Sequence, residues 1–462
     1  MDFLIVLGAL ALLMFVAYRG FSVILFAPIA ALLAVLLTDP SAVPPMFTGV
    51  FMEKMAGFVK LYFPVFLLGA VFGKVIELSG FSKSIVKAVI GVVGAGRAML
   101  SIVLVCAILT YGGVSLFVVV FAVYPFAAEM FRASDIPKRL IPGTIALGAF
   151  SFTMDALPGT PQIQNIIPTT FFGTTTWAAP MLGLIGSVFI LICGLSYLEW
   201  RRHAARVHGE GYGEGHINEP EPFAETGLPN AWIAILPLVV VGVMNKVLTL
   251  AIPAFYGATH SVQLAMTKPL VTDVGPVTAI WAVMGALVLG ILTVLVFAWR
   301  TVSTRFAEGT KAAVGGSLLA SMNTAAEYGF GGIIASLPGF LIIAGALKAI
   351  PDPLVKTAVT VSALAGITGS ASGGMSIALA AMATDFKAAA DAAGIPLEVV
   401  HRVAAMASGG MDTLPHNGAV ITLLAVTGLT HRQAYGDIFA ITLLKTLAVF
   451  FVILVYYTTG IV

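Results

Sequence analysis

Charged residues are scarce in this sequence. Asp, Glu, Lys and Arg make up 10% of the 462 residues, whereas a soluble domain carries about 25%. Hydrophobic residues account for 59%, and the mean hydropathy is +1.01. This composition excludes an ordinary soluble domain. Many apolar runs approach the roughly 20 residues that cross a bilayer, so the sequence predicts an all-α polytopic membrane protein.

The sequence also lacks the motifs of metal sites and of common hydrolases. Its two cysteines, Cys106 and Cys193, stand alone in apolar runs, which gives no indication of a metal or redox site. No His-Glu-x-x-His or Gly-x-Ser-x-Gly motif occurs. The net charge of +2 gives no indication of nucleic-acid binding. We therefore expect no enzymatic activity, no cofactor, no metal and no nucleic-acid partner.

One aqueous segment, residues 201–228, divides the chain into a first half (1–200) and a second half (229–462). The segment is charged and rich in Gly and Pro, as linkers are. Its basic start at Arg201 and Arg202 predicts a cytoplasmic location. Alternation of the apolar spans then places both termini outside. We expect a multi-pass protein of the bacterial inner (plasma) membrane.

A Met-Asp-x-Leu-Pro motif occurs twice, at 154–158 and 411–415. Other segments match at nearly the same offset, for example FGKVIELSGF (72–81) with FGGIIASLPGF (330–340). The first copy, about 45–200, is predicted to begin outside and the second, about 303–462, to begin inside. The sequence therefore predicts two inverted-topology repeats, which are typical of secondary transporters.

Each repeat is expected to contain a re-entrant helical hairpin and a broken transmembrane helix. The glycine-rich and proline-rich interruptions favour this interpretation, because non-helical backbone at membrane depth must be buried or line a watery cavity. The alternative is that the glycines are only notches for helix packing. The predicted segments are hairpins 98–130 and 356–388, broken helices 140–175 and 396–430, and scaffold helices 3–18, 21–38, 229–251 and 276–299.

The four interruptions are predicted to meet near the middle of the bilayer and to form the substrate site. Helices that restart there present free N–H groups and positive dipole ends, which suit a small carboxylate with hydroxyl groups. The predicted substrate-binding residues are Gly112, Gly113, Ser115, Gly159, Thr160, Gln162, Asn165, Ser370, Ser372, Gly373, Gly374, His416 and Asn417.

Acidic residues inside apolar segments raise two possibilities that the sequence leaves open. Asp155 and Asp412 are either proton-coupling carboxyls, since an intramembrane acid signals function, or caps of the half-helices that follow. His416 is either a proton relay or a packing residue. Glu327 is interpreted as a packing or helix-end charge, and Lys445 as a snorkelling or paired base.

The stretches ALPGTPQIQNIIPTTFFGTTTWAAP (156–180) and MDTLPHNGAVITLLAVTGLTH (411–431) resemble the gluconate:proton symporter family, within the ion transporter superfamily. The resemblance covers essentially the whole chain. It implies a homodimeric carboxylate symporter of the elevator type, with a scaffold domain and a mobile transport domain.

Leu157-Pro158-Gly159-Thr160-Pro161 stands where gluconate permeases carry a Pro-Pro-His-Pro-Gly motif. The chain is therefore more similar to the D-3-hydroxybutyrate permease branch. The resemblance implies D-3-hydroxybutyrate and H⁺ as the transported species. A gluconate or other sugar-acid symporter, a Na⁺-coupled carboxylate transporter and an ion antiporter remain as alternatives.

Overall fold

The computed structural model describes residues 2–19, 21–114, 116–220, 227–263, 268–415 and 417–462, and most of them are helical. Two predicted site residues, Ser115 and His416, lie outside the described residues. Up to residue 207 the helices are α1 (Asp2–Tyr18), α2 (Val23–Thr38), α3 (Val43–Pro45), α4 (Met52–Leu78), α5 (Phe81–Val93), α6 (Ala98–Tyr111), α7 (Leu116–Ala133), α8 (Ile141–Ala149), α9 (Phe152–Asp155), α10 (Ile163–Phe172) and α11 (Pro180–Val207).

The second part of the chain repeats this order of elements. Its helices are α12 (Ala231–Tyr256), α13 (Val274–Val302), α14 (Phe306–Ser336), α15 (Pro338–Lys348), α16 (Pro353–Thr368), α17 (Ala371–Ala392), α18 (Leu397–Ser408), α19 (Gly418–Thr427) and α20 (His431–Thr459). A helix pair, a long helix, a short helix, a second helix pair, an interrupted helix and a final long helix thus occur twice.

Five helical stretches among the described residues are long and apolar enough to cross a membrane. They are Pro40–Leu78, Pro180–Val207, Ala231–Tyr256, Val274–Ser336 and His431–Thr459. The shorter helices α6, α16 and α19 are also apolar. This pattern of long spans and short apolar helices agrees with the predicted membrane protein.

Proline and glycine account for the interruptions. Pro158 and Pro161 remove two N–H donors, and the chain is unwound between α9 and α10. Gly409, Gly410 and Pro415 occupy the corresponding gap between α18 and α19. The first interrupted helix is more divided than the sequence indicated, because a further non-helical step at Phe150 and Ser151 separates α8 from α9.

Equivalent helices of the two halves pack against each other in antiparallel pairs. Gly309, at the start of α14, lies against Lys74 near the end of α4, and Gly332, near the end of α14, lies against Lys54 at the start of α4. The start of α11 likewise lies at the end of α20, where the Met181 N–H donates to the Val462 carbonyl. The two halves are thus arranged with opposite helix directions at both contacts.

The remaining packing is reciprocal as well. Helix α2 packs on α14 while α13 packs on α4, and α1 packs on α15 while α12 packs on α5. Nearer the interruptions, α7 packs on α19 while α17 packs on α10. Each half therefore contributes the same kinds of surface to the other, and the four interruptions are brought together at their shared centre.

Two local features differ from the sequence prediction. Strands β1 (Thr259–Val262) and β2 (Leu270–Asp273) form a short antiparallel pair between α12 and α13. Their β-branched residues favour extended backbone, a signal too short to stand out in the sequence. Helix α11 continues through Val207 into the predicted linker, since its last turns contain good helix formers and the chain meets no glycine before Gly209.

Candidate functional site: a cavity between two helix breaks and two hairpin tips

A cavity of about 1400 Å³ lies where the interruptions meet. The first residues of four helices, α7, α10, α17 and α19, line it. Each of these helix starts carries the positive end of a helix dipole and backbone N–H groups without a partner inside the helix. The cavity is therefore suited to negative charge, and its described lining residues include Lys74 and Lys83 but no arginine.

The turn between α16 and α17 forms one wall of this cavity. Its lining residues run from Thr368 to Ser372. The Ser370 hydroxyl accepts a hydrogen bond of 3.1 Å from the Gly373 N–H and caps α17. The Ser372 hydroxyl lies 3.3 Å from that of Thr324 on α14. Two serine hydroxyls and the start of α17 are thus presented at the cavity wall.

The break between α18 and α19 forms the adjoining wall, with Asp412, Thr413 and Asn417 at the cavity. The Asn417 carboxamide has two functions. Its oxygen accepts from the Val420 N–H at 2.9 Å and caps α19, and its Nδ2 donates to the Gly369 carbonyl at 2.8 Å. Asn417 thereby joins the second break to the second hairpin tip.

The first break contributes a similar joint. Gln162 precedes α10, and its Nε2 donates to the Thr110 carbonyl at 2.7 Å, which fixes the break to the end of α6. Gln162 and Gln164 line the cavity, as does Gly113 of the first hairpin tip. The Gln164 side-chain oxygen is buried without a hydrogen-bond partner among the described groups. Sequence reasoning did not select Gln164.

Several predicted binding residues lie behind the cavity wall instead of on it. Gly112 packs on Leu238, Gly159 on the Trp177 ring and Gly374 on the α16 backbone, while Gly373 lies against Glu327. The Thr160 hydroxyl donates to the Thr153 carbonyl at 2.8 Å, and Asn165 is fully buried. Their contacts hold the shape of the first break and of the second hairpin.

A buried ion pair lies beside the second break. The Lys445 ammonium on α20 contacts the Asp412 carboxylate at 2.8 Å, and the two side chains are 2% and 6% exposed. The same ammonium donates to the Phe150 carbonyl at 2.9 Å, at the end of α8. Lys445 therefore links the acid of the second break to unwound backbone of the first. The capping interpretation of Asp412 is wrong, because Asn417 caps α19.

Asp155 lies outside the cavity lining. Its carboxylate packs against Gly409 of the other break, and its Oδ2 is buried without a hydrogen-bond partner among the described groups. It does not cap α10, which begins after Gln162. Lys445 and Arg402 are near enough to act electrostatically on Asp155. The two motif acids thus share one buried group of charges.

Arg402 is a fully buried arginine that sequence reasoning missed. Its guanidinium donates to the Ala178 carbonyl at 2.7 Å and 3.1 Å. It also donates to the Asp155 carbonyl and to Asn165 Oδ1, each at 3.0 Å. Arginine provides five donors in a fixed fork, and here they satisfy backbone oxygens that the first break leaves free. Its apolar helix gave no signal of this role beyond the charge itself.

Glu327 on α14 lines the cavity and is 4% exposed. The sequence predicts only a packing or helix-end charge at this position. Its neighbours at the wall are Thr324 and the second hairpin tip. In the described part of the chain, no group of three or more His, Cys, Asp or Glu is placed to hold a metal ion. The cavity therefore presents helix dipoles, amides, hydroxyls, the carboxyls of Glu77, Glu327 and Asp412, and the ammonium groups of Lys74 and Lys83.

Comparison with known proteins gives a consistent result, although no protein-family model matches the chain. The uncharacterized transporter YxjC of Bacillus subtilis (strain 168) is 60% identical over 473 aligned positions, which cover 100% of both chains. The crystal structure of the Alcanivorax borkumensis YdaH transporter, described as having an unusual topology, aligns with a TM-score of 0.56 at 16% identity and covers 92% of this chain and 90% of that one. The second match shows the fold alone. The chain is therefore a membrane transporter, and it belongs to the family of YxjC.

Proposed function

We propose that this transporter is a symporter that takes up a small hydroxy-carboxylate together with protons. D-3-hydroxybutyrate is the substrate we favour, because of the resemblance to that permease branch. The observation that carries the proposal is the cavity, at which four helix starts meet the amides of Gln162 and Asn417 and the hydroxyls of Ser370 and Ser372. The alternative functions are gluconate transport, Na⁺ coupling and antiport, and the experiments below distinguish the proposal from them.

The cavity wall is compatible with a short substrate that has one charged end and one apolar end. Helix N-termini bind carboxylates without a cationic side chain, and hydroxyls and amides can bind a hydroxyl group. Apolar side chains, including Val65, Phe150 and Met154, line the same cavity. A sugar acid has a hydroxyl on nearly every carbon and would leave several of them against these groups, at a cost in free energy.

Two inverted repeats and an elevator movement belong to the same proposal. The antiparallel pairs α4–α14 and α11–α20 and the reciprocal packing support the inversion. We propose that α1, α2, α12 and α13, with α4 and α14, form the scaffold of a homodimer. The hairpins and broken helices would move against that scaffold in the bacterial plasma membrane.

The cavity also reaches Lys83 and the linker residue Pro220. On the predicted topology this is the cytoplasmic side, with both termini outside. The conformation described here would then be open to the cytoplasm, ready to release substrate.

Uptake by purified protein in liposomes tests the function. We expect labelled D-3-hydroxybutyrate to accumulate when the interior is alkaline, and accumulation to stop when an ionophore collapses the pH gradient. A Na⁺ gradient alone should have no effect. Accumulation driven by Na⁺ alone, or competition by gluconate at lower concentration than by 3-hydroxybutyrate, would contradict the proposal.

A pair of serine variants links this uptake to the cavity. Ser372→Ala removes a hydroxyl at the cavity wall, and loss of one hydrogen bond predicts a KM about 2- to 10-fold higher. Ser336→Ala is the matched control, because its hydroxyl donates to Gly332 of its own helix and does not line the cavity. Equal KM values for the two variants would place the substrate elsewhere.

A further inference from the structure

Glu327 is a cavity carboxyl that neither the motifs nor the comparisons assign to any role. Its Oε2 is buried and has no hydrogen-bond partner among the described groups. The carboxylate lies against the Cα of Gly373, so closely that an added Cβ there would overlap Oε2. Glu327 therefore faces the first turn of α17, at the tip of the second hairpin, where the proposed substrate carboxylate also binds.

Three buried carboxyls of the described residues lie near the interruptions, and their environments differ. Asp412 has the Lys445 ammonium at 2.8 Å. Asp155 lies within the electrostatic reach of Lys445 and Arg402. Beside Glu327 the structure places Ser370, Thr324 and Gly373, which carry no charge. Asp155 and Asp412 therefore lie near buried cations, whereas among the described residues no cation is placed beside Glu327.

The two lysines of α4 that pack directly on glycines of α14 do so away from Glu327, and Lys60, which lies nearer to its level, is exposed. Lys54 of α4 packs on Gly332, five residues beyond Glu327 and so about 7 Å further along the helix, and its side chain is exposed. Lys74 packs on Gly309, near the start of α14. The other charged residues on these elements are Glu53, Lys60 and Glu77 on α4, Arg305 before α14, and Asp385, Lys387 and Asp391 towards the end of α17. Among the described groups, the positive one that packing places against Glu327 is thus the start of α17.

A substrate anion would compete with Glu327 for that helix start. In the empty carrier the dipole of α17 can partly offset an ionised Glu327. When a substrate carboxylate occupies the helix start, two like charges would lie side by side in a buried site, which is costly. Binding of the anion therefore favours a proton on Glu327, and loss of that proton favours release of the anion.

Resting on the proposed function, we infer that Glu327 is the site that binds the co-transported proton, one proton for each substrate carboxylate. An O–H bond forms on the Glu327 carboxylate when the anion binds, and the same bond breaks when the anion leaves on the other side. The loaded site gains no net charge. Asp155, Asp412, Lys445 and Arg402 then form a structural charge group, and the coupling role predicted for the two aspartates passes to Glu327.

Glu327→Gln tests this assignment, with Glu308→Gln as the matched control, an exposed glutamate on the same helix. With a pH gradient of about one unit, coupling to one proton supports about tenfold accumulation, since 1.4 kcal/mol corresponds to a factor of ten. We expect wild type and E308Q to accumulate substrate. E327Q should equilibrate it without accumulation, and should still exchange internal for external substrate at equal pH.

The number of protons taken up on substrate binding is a second measurement. A Glu327 that only packed would not affect this number. A pH indicator in weakly buffered detergent solution should report about one proton taken up per D-3-hydroxybutyrate bound by wild type, and none by E327Q. If E327Q does not fold, the variant Glu327→Asp tests the inference instead. The pH profile of its substrate exchange should be shifted from that of wild type. An unchanged profile would overturn the inference.

Failure of the inference can be told apart from failure of the proposed function. If wild type neither accumulates nor exchanges carboxylates, the proposed function fails. If wild type accumulates substrate and E327Q accumulates it equally, the function stands and Glu327 is not the proton site. If Asp155→Asn or Asp412→Asn abolishes accumulation but retains exchange while E327Q remains coupled, the coupling belongs to the motif acids.

Discussion

In the first helix break Gln162 lines the cavity while Thr160 and Asn165 do not, whereas in the second break both Asp412 and Asn417 line it. The Thr160 hydroxyl donates to the Thr153 carbonyl of α9, and Asn165 donates to the Thr160 carbonyl within the break. Arg402 reinforces this arrangement from α18. In the second break Asp412 and Asn417 line the cavity. The two copies of the motif therefore present different polar groups to the cavity.

The same asymmetry appears on the helices that precede the hairpins. Glu327 on α14 corresponds to Gly69 on α4 when FGGIIASLPGF is matched with FGKVIELSGF. Both positions line the cavity, but an added Cβ at Gly69 would meet no atom within 4 Å. The second half thus presents a carboxyl at a position where the first half has only a glycine.

The largest effect is expected at the charge that connects the two breaks. Lys445→Met leaves Asp412 buried without its cation, and breaking a buried pair costs about 3–5 kcal/mol. Denaturant titration in mixed micelles would measure the loss in unfolding free energy. The double variant D412N/K445M removes both charges and should recover much of the loss. A single variant as stable as wild type would show that the pair does not hold the breaks together.

A pair of glycine substitutions tests whether the first break is the more tightly packed. Gly159 has φ +78° and lies against the Trp177 ring, so Gly159→Ala should cost roughly 1–3 kcal/mol. Gly418, the first residue of α19 after the second break, has no atom within 4 Å of an added Cβ. Gly418→Ala should change stability by less than about 0.5 kcal/mol. Thermal unfolding in detergent compares the two, and similar shifts would remove the contrast.

The two asparagines give a finer test. Asn165→Ala leaves buried carbonyls and the Arg402 guanidinium with fewer partners, at a cost of about 1–3 kcal/mol. Asn417→Ala removes a helix cap, at about 1 kcal/mol, and also a cavity amide. We expect the first variant to lose more stability and the second to lose more substrate affinity. The reverse order in unfolding and uptake measurements would mean that the breaks have exchanged roles.

The smallest effect is expected in the linker, far from both breaks. Hydrogen bonds from Arg139, at 2.6 Å and 2.7 Å, hold the pKa of Glu210 below its ordinary value of 4.5. A lowered pKa stabilises the folded state above pH 4.5, and that contribution is lost as pH falls through the folded-state pKa. Because the pair is partly exposed, Glu210→Gln should cost less than about 1 kcal/mol at neutral pH. Glu214→Gln is the control.

That small difference should disappear at acidic pH and shrink in high salt. Unfolding curves at several pH values would show it. A difference that grows as the pH falls would contradict the assignment of Arg139 as the partner of Glu210.

Much of the element order could be predicted from local sequence. The membrane class follows from composition, and the proline and glycine clusters mark the interruptions that separate α9 from α10 and α18 from α19. The additional helix interruption at Ser151 and the strand pair between α12 and α13 could not be predicted. Each depends on a few residues with a weak preference for one backbone conformation. The cavity residues were harder, since a list of polar residues near a break does not say which way each one points.

By itself, the sequence determined that this chain is a helical membrane protein with a duplicated motif, because bilayer solvation and backbone hydrogen bonding act on each segment separately. Only the tertiary structure decided that Asp412 meets Lys445, that Arg402 serves the first break and that Glu327 faces a hairpin tip. Those partners lie far apart along the chain or on helices with no motif. Burying a charge is costly unless packing places a cation, a carboxylate or a hydrogen-bonding group beside it.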